Sequence, residues 1–144
     1  MKVIIAGSRD VTDYFVVKAA CEESGFEFTE VVSGKAPGAD SLGEWYANEI
    51  DVPIAEFPAD WKNLDAPGAI VKRNKHGAYN AAAGFARNKK MAEYGDALVA
   101  IWIGGSRGTK NMIELARKAG LSIFVQKFVR VDYELKEDGV ICES

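Results

Sequence analysis

The sequence predicts an α/β protein with a mainly parallel five-stranded sheet, helices on both faces, and a C-terminal strand or hairpin added at the end. Three observations carry this expectation. Apolar runs of strand length alternate with helix-length segments along most of the chain. Runs such as Val3–Ala6 are apolar at consecutive positions, as in strands covered on both sides. Several runs stop at glycine and lead into a helix with a polar cap, the pattern of strand–turn–helix units.

The elements follow in order. Val3–Ala6, ended by Gly7, is the first strand. Thr12 or Asp13 caps a helix from Tyr14 to Glu23, closed by Gly25. Phe28–Ser33 is the second strand, ended by Gly34, and Asp40 caps a helix running to Ile50. Pro53–Phe57 is a short third strand. Pro58–Asn80 reads as a long loop, with Pro67-Gly68 and His76-Gly77 as breakers. Loops of that length usually serve as lids or binding loops or are disordered. Ala81–Tyr94 is a helix and Ala97–Ile103 the most apolar strand. Thr109 caps a helix to Ala119, with Gly120 just beyond, and Leu121–Gln126 is the fifth strand. Phe128–Leu135 alternates as a further strand, Asp138-Gly139 reads as a hairpin turn, and Val140–Cys142 returns. The whole describes a three-layer sandwich in one domain, residues 1–144, with an insert at about 62–80 and an extension at about 127–144.

Composition narrows the function. A chain of 144 residues, 48% hydrophobic and 27% charged, has room for an ordinary core without staples. Cys21 sits in a helical pattern as a small core residue and Cys142 as a free thiol; neither belongs to a metal-binding cluster or a disulfide framework. No apolar run is long enough for a membrane span, and no leader is recognisable, so a cytoplasmic location is expected. The net charge of −3 argues against coating nucleic acid by bulk attraction. Six of the 18 basic residues (Lys72, Arg73, Lys75, Arg87, Lys89 and Lys90) fall between Ala66 and Ala92, which holds no acid. A local positive segment in an acidic protein suits a small anionic ligand, or is simply a solvated loop.

Chemistry is expected at the carboxyl ends of the strands, where open α/β sheets bind ligands. Three strand ends carry glycine with a hydroxyl or a cation: Gly7-Ser8-Arg9-Asp10, then Ser33-Gly34-Lys35-Ala36-Pro37-Gly38-Ala39-Asp40, then Gly104-Gly105-Ser106-Arg107-Gly108-Thr109. Glycine admits a ligand close to the backbone, and the following helices offer free N–H groups and a positive dipole end to phosphate. None of the turns fits GxxxxGK[ST] or GxGxxG, which argues against P-loop hydrolysis and that dinucleotide fingerprint.

Five strings in order, GSRD, SGKAPGAD, PADW, AGFARNKKM and GGSRGT, resemble the YspA-related small-protein branch of the SLOG superfamily, which is common in bacteria and phages. The resemblance spans about residues 1–125. The superfamily also includes the LONELY GUY phosphoribohydrolases and the core of the DNA-processing protein that loads recombinase. The resemblance implies a Rossmann-like fold and a nucleotide-derived ligand. It matches Gly7, Ser8 and Arg9 to the first loop; Ser33, Gly34, Gly38 and Asp40 to the second; Arg87 and Asn88 to an RN pair; and Gly104, Gly105, Gly108 and Thr109 to the phosphate turn. Lys35 and Pro37 depart from it, standing where the branch has glycine and arginine. The stretch between PADW and AGFARN is also about a dozen residues longer than is usual there. The LONELY GUY enzymes place a glutamate two or three residues after the GT pair, but Asn111 and Met112 stand there in this chain. The nearest acid, Glu114, lies five residues past Thr109, about 500° of helical rotation, and leaves the rim.

Arg87 is the prime phosphate ligand on this reading, with Arg9 and Arg107 beside glycine turns and Ser8, Ser106 and Lys35 as further donors. Trp61, Tyr79 and Phe85 are placed to stack on a base or to pack. His76 is expected to be exposed. No Ser/His/Asp set or metal-ligand cluster can be assembled, and no cofactor is implied. The leading expectation is binding of a phosphate-bearing nucleotide or nucleotide-derived small molecule. The alternative is an N-glycosidase or phosphoribohydrolase whose acid is Asp40, Glu44 or Glu114. A third is single-stranded nucleic acid binding through Lys72–Lys90, disfavoured by the acidic balance. A homo-oligomer is permitted but not required.

Overall fold

The computed structural model describes all 144 residues. Its elements are β1 (Lys2–Gly7), α1 (Tyr14–Glu23), β2 (Glu30–Ser33), α2 (Ala39–Glu49), β3 (Ile54–Glu56), β4 (Val71–Asn74), β5 (Gly77–Asn80), α3 (Ala83–Tyr94), β6 (Ala97–Ile103), α4 (Arg107–Lys118), β7 (Ser122–Val131) and β8 (Glu134–Glu143). Six strands form one sheet in the order β3-β2-β1-β6-β7-β8, and β4 and β5 form a separate antiparallel pair. The first five strands of the large sheet are parallel, and β8 adds to its edge antiparallel to β7. The fold is therefore the expected Rossmann-like one, with a parallel five-stranded sheet and a C-terminal hairpin.

Burial on both faces explains the continuous apolar runs. Val3 and Ile5 of β1, with Val99 and Ile101 of β6, pack against Val17 and Cys21 of α1 and Leu42 and Ala47 of α2. Ile4 and Ala6, with Leu98 and Ala100, face Met91 of α3 and Met112, Ile113 and Ala116 of α4. The chain winds from β1 towards β3 in its first half and from β6 towards β7 in its second. The direction reverses between the neighbours β1 and β6, which makes their carboxyl ends the natural crevice.

Four local readings change. Asp40 does not cap α2; Gly38 does, at φ 80°, and Asp40 lies in the first turn. Thr109 does not cap α4; Ser106 does, its side chain accepting from the Thr109 N–H. The long loop contains the β4–β5 hairpin, held at its base by Asn80, whose side-chain oxygen accepts from the Ile70 and Ala82 N–H groups at 3.1 and 3.0 Å. The tail turns at Asp132-Tyr133, both in the left-handed region at φ 48° and 68°, and not at Asp138-Gly139. There the register shifts between Gln126 and Phe128, so Lys127 faces both Asp138 and Gly139 in a bulge, and Gly139 takes φ 100°. No helix is long and apolar enough to cross a membrane.

Candidate ligand-binding site

A cavity of about 470 Å³ opens where β1 and β6 end. Its floor begins at the first loop. A side chain at Gly7 would run into the Ile101 carbonyl oxygen and come within 2.8 Å of the Ala39 Cβ, so glycine lets β1 and β6 close up beneath α2. Ser8 is buried and fastened from several sides. Its N–H donates to the Ile101 carbonyl at 3.1 Å, its hydroxyl oxygen accepts from the Ile103 N–H at 3.1 Å, and its carbonyl accepts from Val11 and Ala39. Arg9 extends outward with its guanidinium 5.7 Å from the centre of the Trp61 ring.

The second loop supports the cavity mainly from behind. Ala36 and Asp40 line it, whereas Ser33, Gly34, Lys35 and Gly38 do not. The Ser33 hydroxyl donates to Glu44 at 2.6 Å, and the Lys35 ammonium reaches Glu44 at 3.0 Å and Glu56 at 3.4 Å. Glu44 is thereby turned to this ion-paired cluster and away from the cavity. Gly38 is wedged against the first loop; a side chain there would meet the Ser8 carbonyl oxygen at 2.5 Å and the Arg9 backbone. Lys35 adopts φ 60°, a left-handed conformation that favours glycine.

Asp40 is buried, and its carboxylate accepts from the Ala36 N–H at 3.3 Å. Burial pushes its pKa up to about 6, against the opposing pull of that N–H and of the Arg87 and Arg9 charges. Arg87, on α3, donates through Nη1 to the Gly34 and Phe57 carbonyls and through Nε to the Asn88 side-chain oxygen. Burial pulls its pKa down from the usual guanidinium value. Asn88 passes the connection on, donating to the Gly108 carbonyl at 3.3 Å and the Asn111 side chain at 3.0 Å. One polar chain thus runs from the second loop through α3 to the start of α4.

The glycine turn after β6 forms the opposite wall with Gly104, Gly105, Ser106, Gly108 and Thr109. Gly105 has φ 91°, and neither Gly105 nor Gly108 has a protein atom within 4 Å of where a Cβ would be. The Ser106 and Thr109 hydroxyls pair at 2.7 Å. The backbone N–H groups of Arg107 and Gly108, in the first turn of α4, find no acceptor in the protein. The Arg107 side chain points to solvent off the cavity wall, and Glu114 is likewise exposed and outside it.

Trp61 and Phe85 complete one side, both substantially exposed. The cavity also takes in Asp10 and Arg130, which form an ion pair with each other. Arg130 carries no local sign in the sequence. It reaches the site because β7 continues to Val131, five residues past the expected end at Gln126. The wall therefore bears three arginines (Arg9, Arg87 and Arg130) and two carboxylates (Asp10 and Asp40).

Residues 1–64 match the family described as the YspA, cpYpsA-related SLOG family. The fold is similar to the X-ray structure of DNA processing protein A (DprA) from Streptococcus pneumoniae, with a TM-score of 0.61 and 18% identity. That similarity covers 86% of this chain and 49% of the other, so the chain spans about half the length of that protein, and the likeness is one of fold. A search of curated proteins found no match.

Proposed function

We propose that this chain, whose first 64 residues match the SLOG family, binds a phosphate-bearing nucleotide or nucleotide-derived small molecule in the crevice between β1 and β6. One observation carries the reading. The unpaired Gly108 amide in the first turn of α4, the Gly104–Gly105 turn and arginines from the first loop, α3 and β7 line one cavity, with Trp61 and Phe85 on its wall. Helix N-terminal amides and arginines together favour a phosphate, and exposed aromatic rings favour a flat base. A volume of about 470 Å³ is in the range of small-molecule sites.

The roles differ by residue. Gly105 and Gly108 leave space for an anion to approach the backbone. Arg87, locked by carbonyls through Nε and Nη1, keeps Nη2 free of protein partners and presents a fixed charge. Arg9 lies over Trp61 and is free to stack on or clamp the ligand. Ser8 and Asn88 position these groups. The test is a thermal-shift and calorimetric screen with nucleoside monophosphates, diphosphates, ADP-ribose and cyclic nucleotides. A binder at a hundredfold excess over Kd raises stability by about 2.7 kcal/mol. No shift with any of them at millimolar concentration would overturn the reading.

A second reading rests on Asp40 alone. A buried carboxyl on the cavity wall with a pKa of about 6 can hold a proton for a leaving base while water attacks the anomeric carbon. Cleavage of an N-glycosidic bond would then release free base. Base release that survives Asp40→Asn would exclude Asp40 as the acid.

A further inference from the structure

We propose that Arg130, on the C-terminal extension, is a ligand-binding residue that meets the ligand's phosphate above the Gly104–Gly105 turn and is held there by Asp10 until the ligand arrives. The inference rests on the reading of the crevice as an anion site.

The sheet order supplies the geometry. Asp10 follows β1 and Arg130 lies near the end of β7, with β6 between those two strands. An ion pair between the two residues must therefore cross the end of β6, where the glycine turn begins. The Gly104 N–H donates to the Phe128 carbonyl at 3.1 Å, which fixes this part of β7 beside the turn two residues before Arg130. Both members of the pair line the cavity.

The chemistry separates Arg130 from its neighbours. Arg87 has committed its Nε and Nη1 to buried acceptors and cannot change partners without stranding them. Arg130 has a single partner, the Asp10 carboxylate, and the two side chains are 50% and 55% exposed. A pair so exposed is weak and opens at little cost. A phosphate offers more charge and more acceptor oxygens to a forked guanidinium than one carboxylate does. Asp10 thus acts as a stand-in for the anion, orienting Arg130 across the turn and giving it up on binding.

The experiment measures the affinity of AMP, ADP and inorganic pyrophosphate by calorimetry at fixed ionic strength, with the ligand-free thermal midpoint recorded alongside. Arg130→Gln should weaken whichever of the three binds by about tenfold, and Arg130→Lys by less, since it keeps the charge and loses the fork. Asp10→Asn should tighten binding by about two- to threefold, because it frees Arg130 and removes a negative charge facing the phosphate. Both variants delete the same weak ion pair, so both should leave the ligand-free midpoint close to that of the wild type while moving affinity in opposite directions. Unchanged affinity in Arg130→Gln, or loss of affinity in both variants together, would overturn the proposal and leave the nucleotide reading standing. Failure of the wild-type chain to bind any of the three probes would overturn the proposal and leave the nucleotide reading to the wider screen.

Discussion

Arg87 reaches the Gly34 carbonyl through the space that the missing side chain of Gly34 leaves open. A Cβ at position 34 would stand 2.5 Å from the Arg87 Nη1 and 2.7 Å from the Asp40 Oδ2. The backbone there does not require glycine, so the constraint is purely steric. Gly34→Ala should therefore destabilise the fold by about 1–3 kcal/mol in urea denaturation. In an Arg87→Ala background the added methyl loses its closest obstacle, and the second cost should be clearly smaller than the first. Additive costs would mean that Gly34 and Arg87 are not coupled in this way.

Asp40 gives stability a pH dependence of definite sign. Its folded pKa of about 6 lies above the ordinary aspartate value of 3.8, so between those values the folded state holds the proton more often than the unfolded one. The contribution is fully present below about pH 4 and is lost as pH rises through 6. The burden at neutral pH is on the order of 3 kcal/mol. Asp40→Asn keeps an oxygen for the Ala36 N–H and removes the buried charge, so it should be more stable than wild type at pH 8 and converge with it near pH 4. The difference between the two proteins isolates Asp40 from exposed acids such as Glu49 and Glu143, whose lowered pKa values act with the opposite sign. Equal stabilities at pH 8 and pH 4 would show that Asp40 is not held in this state.

Two glycines of the turn after β6 should respond differently to the same substitution. Gly105 sits at φ 91°, where alanine is strained, and Gly105→Ala should cost about 1–2 kcal/mol. Gly108 lies in the first turn of α4 with ordinary backbone angles and no atom near its missing Cβ. Gly108→Ala should leave stability unchanged or raise it by about 0.5 kcal/mol. Yet Gly108 lines the cavity, and a methyl there stands where an anion would approach, so nucleotide affinity should fall several-fold. A variant that is both stable and tight-binding would show that the ligand does not approach this amide.

The legibility of these features follows their physics. Val3–Ala6 and Ala97–Ile103 were readable as strands because they are buried on both faces and carry no competing pattern. The three glycine turns were readable as turns, but not the reason for each glycine. Gly7, Gly34 and Gly38 answer to close packing by Ile101, Arg87 and the first loop, all distant in sequence. The β4–β5 hairpin leaves no signal in the sequence because Val71–Asn74 is exposed along its whole length and offers no apolar alternation, while its base is organised by the Asn80 side chain. Helical spacing places Glu44 beside Asp40 but does not reveal the Ser33 hydroxyl and Lys35 ammonium that engage it. Arg130 lay outside every local signal, since its position depends on how far β7 extends.

The tail hairpin shows how similar chemistry can be misread, and it yields a prediction. Asp138-Gly139 has the composition of a tight hairpin turn, but Gly139 uses its positive φ to form a bulge opposite Lys127. The actual turn, Asp132-Tyr133, places two non-glycine residues at φ 48° and 68°. A two-residue hairpin with both residues left-handed strongly favours Asn-Gly. Tyr133 is fully exposed, so replacing it sacrifices no packing. The double variant Asp132→Asn, Tyr133→Gly should therefore stabilise the protein by about 1 kcal/mol, read as a higher urea midpoint at unchanged slope. Since Arg130 lies two residues before the turn, firmer closure of β7 on β8 should also preserve its pairing with Asp10. A lower midpoint would mean that the strands do not turn at these two residues.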